Sequence, residues 1–302
     1  MADIMTRAKF TYLWQPGLDE IVRDVIGKAE YQYPKLFKIK SSKRKYEEDY
    51  GMTGMGRMTS KTEGGLPTIL TKEAGYYKQY TNLTYANYVE ITEEAVEDDL
   101  YDQLTDLAAE LANSAKETKE YNHMVLLNYC DATTYYAGGD TFALQYDSHL
   151  WSAASAQTYD TSAGATAISA TNLEAALVVM RNAKNAAGVP IWMNPKRIWS
   201  SISLQGAIHR ILNSTLLPGG SQNDVNPIKA LYNLEPICSP YISSATKWGL
   251  QAEQHWLKSY NRKAFGTRAE TAEGTGNLRW YGRERYVLGF NVAAGNYIST
   301  GA

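Results

Sequence analysis

The sequence predicts an α+β fold on three observations. About forty residues from position 92 keep helical periodicity with no Pro or Gly among them. A lobe between 168 and 245, of α/β or α+β type, alternates helical and strand-like segments. From 246 onward the pattern is β. The 302 residues can bury a sizeable core, and 44% hydrophobic with 21% charged residues is the balance of a folded chain. A net charge of −2 argues against gripping nucleic acid over most of the surface. The 23 tyrosines and 7 tryptophans outnumber 5 phenylalanines. Rings with a polar tip suit the amphipathic rims of a β-rich core, or surfaces that become interfaces.

Pro16-Gly17 introduces Leu18, Ile21, Val22, Val25 and Ile26 at helical spacing. A short amphipathic helix follows, stopping near Gly27, with an apolar face for its own chain or a neighbour's. Residues 38–92 differ from the rest. A basic cluster (Lys38, Lys40, Lys43, Arg44, Lys45) precedes the acidic pair Glu47-Glu48. A Gly/Met-rich turn region holding Lys61 and Glu63 comes next, and then a tyrosine-rich β-type stretch. Too few large apolar residues lie between 38 and 75 for a core. That predicts a two-armed loop reaching from the body, ordered by lying on another subunit, with a solvated loop as the alternative.

The helix expected over 92–131 has Thr92 as N-cap and lines Leu100, Leu104, Leu107, Leu111 and Ala115 on one face. At 1.5 Å per residue it spans about 60 Å. Glu93, Glu94, Glu97, Asp98, Asp99, Asp102 and Asp106 crowd its first half, with no Lys or Arg until Lys116. The dipole needs fewer acids than that. A two-metal site would want Glu-x-x-His pairs from facing helices, and only His123 is near. The better reading is a solvated acidic face awaiting a basic partner, with 38–45 a candidate in cis or in trans.

A Gly/Ala/Ser/Thr-rich connector over 133–170 reads as a boundary. Leu173, Ala176, Leu177 and Met180 share a face of a second helix, expected to end at Gly188 and Pro190. "IWMNPKRIWSSI" reads as a strand, "SLQGAIHRILNSTLL" as a third helix, and "RERYVLGFNV" as a strand with one face covered. Cys130 and Cys238 lack ligand spacing and read as buried reduced thiols, a single disulfide being the other possibility. No apolar run reaches the roughly eighteen residues of a membrane span, and the N-terminus lacks the apolar core of a signal peptide.

"GGDTFALQYDSHLW" (138–151) is the one stretch that invites an enzymatic reading, with Asp140, Asp147 and His149 inside ten residues. Zinc sites want three or four ligands at set spacing, and no partner motif occurs elsewhere. A local turn network is favoured, with Asp140 bonding backbone amides while His149 and Trp151 pin the loop. There is no P-loop, dinucleotide fingerprint, nucleophile elbow or HExxH. His209 reads as a packed core residue beside Ile208 and Ile211, and His255 as a strand residue.

Taken in order, "VEITEEAVEDDLYDQL" (89–104), "DTFALQYDSHLW" (140–151), "TNLEAALVVMRNAKNAAGVPIWMNPKRIW" and "RERYVLGFNVAAG" resemble the major capsid proteins of tailed bacteriophages, with the Hong Kong 97-type fold. Thr141 and Ala143-Leu144 depart from the family's usual Gly and Leu-Phe in the second stretch. The resemblance implies an N-terminal arm (1–37), an extended loop (38–85) over an adjacent subunit, and a peripheral domain (86–164) with a spine helix. It further implies an axial domain (165–245) and strands over 246–302 returning to both. It implies a non-enzymatic subunit, without cofactor or metal, assembling as hexamers and pentamers into a virion shell around double-stranded DNA. Assembly would proceed in the host bacterial cytoplasm, with scaffolding, decoration and portal proteins as partners. Contact candidates are Lys43, Arg44, Lys45, Glu47, Glu48, Lys61, Glu63, Glu97, Asp98, Asp99 and Asp102. An encapsulin-type nanocompartment shares that fold and is the first rival, and a metal-dependent hydrolase on Asp140, Asp147 and His149 the second.

Overall fold

Two four-stranded sheets organise the chain. The computed structural model describes residues 19–28, 30–92, 94, 101–216, 225–272 and 274–301, with the backbone alone described at 52 and 101–105. The first sheet has the order β1-β10-β11-β4, from Lys38–Ser41, Lys258–Thr271, Leu278–Gly289 and Leu83–Ile91. β1 runs parallel to β10, and the other pairings are antiparallel. The second sheet, β12-β9-β7-β8, joins Asn296–Ser299, Trp248–Ala252, Pro195–Ser201 and Glu235–Ser239. β7 and β8 are parallel; the rest are antiparallel. Mixed sheets packed against helices fit the α+β expectation.

The long helix (Tyr101–Asn128) lies on the first sheet. Strand β11 alternates as a sheet with one covered face must: Trp280, Gly282, Glu284 and Tyr286 point inward, and Arg283 stands exposed between them. Lys119 of the helix meets Glu284 at 3.3 Å, and Asn122 donates to the Tyr286 hydroxyl at 2.8 Å. Gly282 is required by close approach, because a Cβ there would sit 2.6 Å from the Phe265 ring. Beyond Asn128 the chain turns, three residues short of the expected end. The Lys247 ammonium takes over there, donating to the Asn128 carbonyl at 2.7 Å and pairing with Asp131 at 3.0 Å, a cation where the helix leaves carbonyls unpaired. The expected start, with Leu100 and the acids Glu97, Asp98 and Asp99, lies outside the described residues.

The short N-terminal helix, 19–27, docks on its own chain: Val22 is buried with Ala108, Leu111, Ala112 and Trp280 in a small second core. The main core fills the space between the second sheet, the end of the long helix and helix Ala170–Arg181. That helix buries Ala170, Leu173, Ala176, Leu177 and Met180, and Ser169 caps it by accepting from the Asn172 amide at 3.1 Å. It ends at Arg181 and not at Gly188, whose positive φ instead shapes the turn that pairs Lys184 with Pro190. Helix Gln205–Asn213 forms as expected, with Ile208 and Ile211 buried, but His209 is exposed on its opposite side. His255 is buried in the turn between β9 and β10 and belongs to no strand. Both cysteines are free; Cys130 is buried and Cys238 half-buried.

Candidate functional site

Two features remain once the core is accounted for: the buried Asp140–His149 pair, and a long hairpin that leaves the body.

The segment expected to be a loose connector is largely packed away. His149 heads a two-residue strand paired with Thr158–Tyr159, and its Nδ1–H donates to Asp140 Oδ2 at 2.5 Å. The other Asp140 oxygen accepts from the Phe142 amide at 3.2 Å. The His149 ring stacks on Tyr159, and Trp151 lies against the same tyrosine. Trp151 also donates to the Lys184 carbonyl at 2.9 Å. Asp147 does not join them. It is exposed, in the bend that precedes the strand begun by His149. Two ligands are too few for a metal centre, and among the described residues no cluster of three or more His, Cys, Asp or Glu could hold one.

Sequence reasoning missed what this pair supports. Gly138 and Gly139 precede Asp140, and the Gly139 amide donates to the Asn291 carbonyl at 2.9 Å. A Cβ on Gly139 would fall 2.9 Å from the Tyr76 side chain and still closer to Asn291, so only glycine fits. Asn291 donates in turn to the carbonyls of Asp49 and Tyr76, one on each arm of the hairpin. The Gly-Gly dipeptide was the visible signal; the partner, Asn291, far along the chain was not.

The hairpin pairs β2 (Tyr46–Met52) with β3 (Ala74–Thr81) in antiparallel register. Its base is fixed to the body by Lys258–Asp49 at 2.5 Å, by buried Tyr80 against Gly289, and by Thr53 accepting from the Ala186 amide at 3.1 Å. Glu73 accepts from the Ser152 hydroxyl at 2.7 Å. The distal part, 55–72, carries Met58, Leu66 and Ile69 at 90%, 96% and 86% exposure. Lys61 and Glu63 are exposed in this distal part; Lys43, Arg44 and Lys45 are exposed in the turn leading into β2. Glu48 accepts from the Tyr77 hydroxyl at 3.1 Å, and Glu47 is half-buried on the same strand. Asp102 lies in the long helix, in its backbone-only stretch. Among the described residues no helix is long and apolar enough to cross a membrane.

A profile of the phage capsid protein family matches residues 76–297, most of the chain. The chain belongs to the phage capsid protein family. It is a major capsid protein, a structural subunit of a shell. Solved structures agree on the fold. The capsid of an empty GTA particle superposes with a TM-score of 0.57 at 11% identity, over 90% of this chain and 90% of that one. Mycobacterium phage Patience gives 0.56 at 11% identity, over 99% of this chain and 89% of that one. The holo-SrpI encapsulin complex from Synechococcus elongatus gives 0.52 at 9% identity, over 88% and 85%. No curated protein sequence matches the chain. The Hong Kong 97-type α+β fold is thus common to phage-type capsids and to an encapsulin, and the phage family match points to the former.

Proposed function

We propose that this capsid protein assembles as hexamers and pentamers into an icosahedral head that encloses double-stranded DNA. The observation that carries the reading is the hairpin, whose distal apolar residues Met58, Leu66 and Ile69 are left uncovered by the described residues of their own chain. A two-stranded ribbon with an exposed apolar tip is marginal alone, and a neighbouring copy is the natural cover. In this reading 1–37 is an N-terminal arm, 38–85 the extended loop, 86–164 the peripheral domain, 165–245 the axial domain, and 246–302 the strands that rejoin both. Lys43, Arg44, Lys45, Glu47, Glu48, Lys61, Glu63, Glu97, Asp98, Asp99 and Asp102 are contact residues; Asp140 and His149 shape a loop, and Asp147 stands exposed beside it. The mechanism is physical: many weak contacts per subunit add up to high avidity in a closed shell, and no reaction is catalysed. Scaffolding, decoration and portal proteins act with it, the subunit assembles in the host bacterial cytoplasm, and it ends in the virion.

Negative-stain electron microscopy of the purified protein tests this. Rings of five and six, or closed shells, are expected; a monodisperse monomer at every salt and protein concentration, even with scaffold supplied, overturns it. The likeness to an encapsulin keeps one rival in view, and particle contents decide it. Nucleic acid belongs to a phage head, a co-purified enzyme to a nanocompartment.

A further inference from the structure

The solvent face of the first sheet carries a basic groove that the shell reading leaves without a partner. Lys43, Arg262, Lys263, Arg283 and Arg285 line a depression of about 410 Å³ with no carboxylate among its lining residues. The sheet register creates it. Pairing skips from Asn261↔Tyr286 to Lys263↔Arg285, so Arg262 is the extra residue of a bulge and shares the groove with Lys263. Arg262 Nη1 and Arg285 Nε are shielded from solvent and have no hydrogen-bond partner among the described residues. Unpaired guanidinium N–H groups so placed need an acceptor.

We propose that this groove receives the exposed carboxylates Asp106 and Glu110 of the long helix from a second copy of the chain, a pairing that rests on the shell reading above. From Glu93 to Glu110 the sequence has eight acids and no Lys or Arg. Glu94, Asp106 and Glu110, the three of them with described side chains, are exposed. The groove cannot reach them in its own chain, because the sheet stands between: Glu284 and Tyr286 of β11 face the helix, while Arg283 and Arg285 point away. The two patches are opposite in charge and lie on different sides of the subunit, which makes the contact head-to-tail. Repeated head-to-tail contacts close into rings when the rotation between copies closes. Duplex DNA is the competing anion, but its phosphates are met by an open basic track, whereas separate carboxylates can enter a short depression.

A charge swap tests the pairing. Arg283→Glu with Arg285→Glu, and separately Asp106→Lys with Glu110→Lys, should each cut the yield of rings or shells about tenfold or more, as like charges face each other. All four substitutions together should restore it. Circular dichroism and thermal melting of each variant identify those that have failed to fold. The pairing is overturned if either double variant assembles like the wild type, or if a folded quadruple variant assembles no better than the doubles. It is also overturned if Arg283→Glu with Arg285→Glu leaves particle yield intact and lowers only nucleic-acid content, which would assign the groove to DNA. Wild-type protein that forms no particles fails the shell reading itself; wild-type particles with no rescue fail the pairing alone.

Discussion

At the scale of single residues, Asp140 and His149 are a structural pair. Both are buried and each is the other's charged or polar partner, so removing one strands the other in a place water does not reach. His149→Ala should lower stability by about 3 kcal/mol in chemical denaturation, the usual cost of breaking such a pair. His149→Asn keeps an N–H donor and should lose less. Equal losses for the two would mean that ring packing on Tyr159, and not the bond to Asp140, is what matters there. His123 has a comparable role with different chemistry. Its Nδ1–H donates to the Lys119 carbonyl at 2.6 Å, so Nε2 is left to accept from the Ser259 hydroxyl at 2.8 Å, and the ring sits neutral between Tyr33 and Tyr286.

At the scale of elements, the hairpin divides at its own hydrogen bonds. Its base is held by Asn291, Lys258 and the close fit of Tyr80 on Gly289, whereas 55–72 has few contacts with the body. Exposed segments with few tertiary bonds open most easily and are cut first. Trypsin should therefore cleave the unassembled protein first at Arg57, Lys61 and Lys72, all exposed, leaving the rest intact. Assembled particles should resist at the same bonds. Early cuts elsewhere, or equal cleavage before and after assembly, would contradict the docking of this tip on a neighbour.

At the scale of the whole molecule, burial sets how stability responds to pH. His123 and His255 are both pushed down to about 3, chiefly by burial. The unfolded chain takes up those protons near pH 6.5, and the folded chain does not until about 3. Between these values the unfolded state binds more protons, so stability falls as pH falls, by about 1.4 kcal/mol per pH unit for each histidine. Glu120 and Glu284 are raised, again by burial, and act in the opposite sense: their contribution is present below pH 4.5 and is lost as pH rises. Comparing wild type with His123→Gln isolates one histidine. The wild-type curve should be steeper by about 1.4 kcal/mol per unit between about pH 6 and 5. Parallel curves would show that His123 is not held neutral.

The sequence by itself determined the element types and their order: the long helix, helix Ala170–Arg181 with its buried stripe, the alternating strand β11 and the hairpin's lack of a core. Each follows from local periodicity, which is set by backbone geometry over a few turns or a few residues. It also suggested the family, through the order of several weak motifs. Only the tertiary structure decided which polar residues became buried partners. Asp140 and His149 are joined and Asp147 is not, because His149 is paired with and stacked on Tyr159 against the buried Asp140, whereas Asp147 lies in the exposed bend before that strand. His209 faces water although it sits beside Ile208 and Ile211, since one step along a helix rotates a side chain by about 100°. The Gly139–Asn291 contact and the basic groove join segments far apart in the chain. No local pattern encodes them, because they exist only once sheet register has brought those segments together.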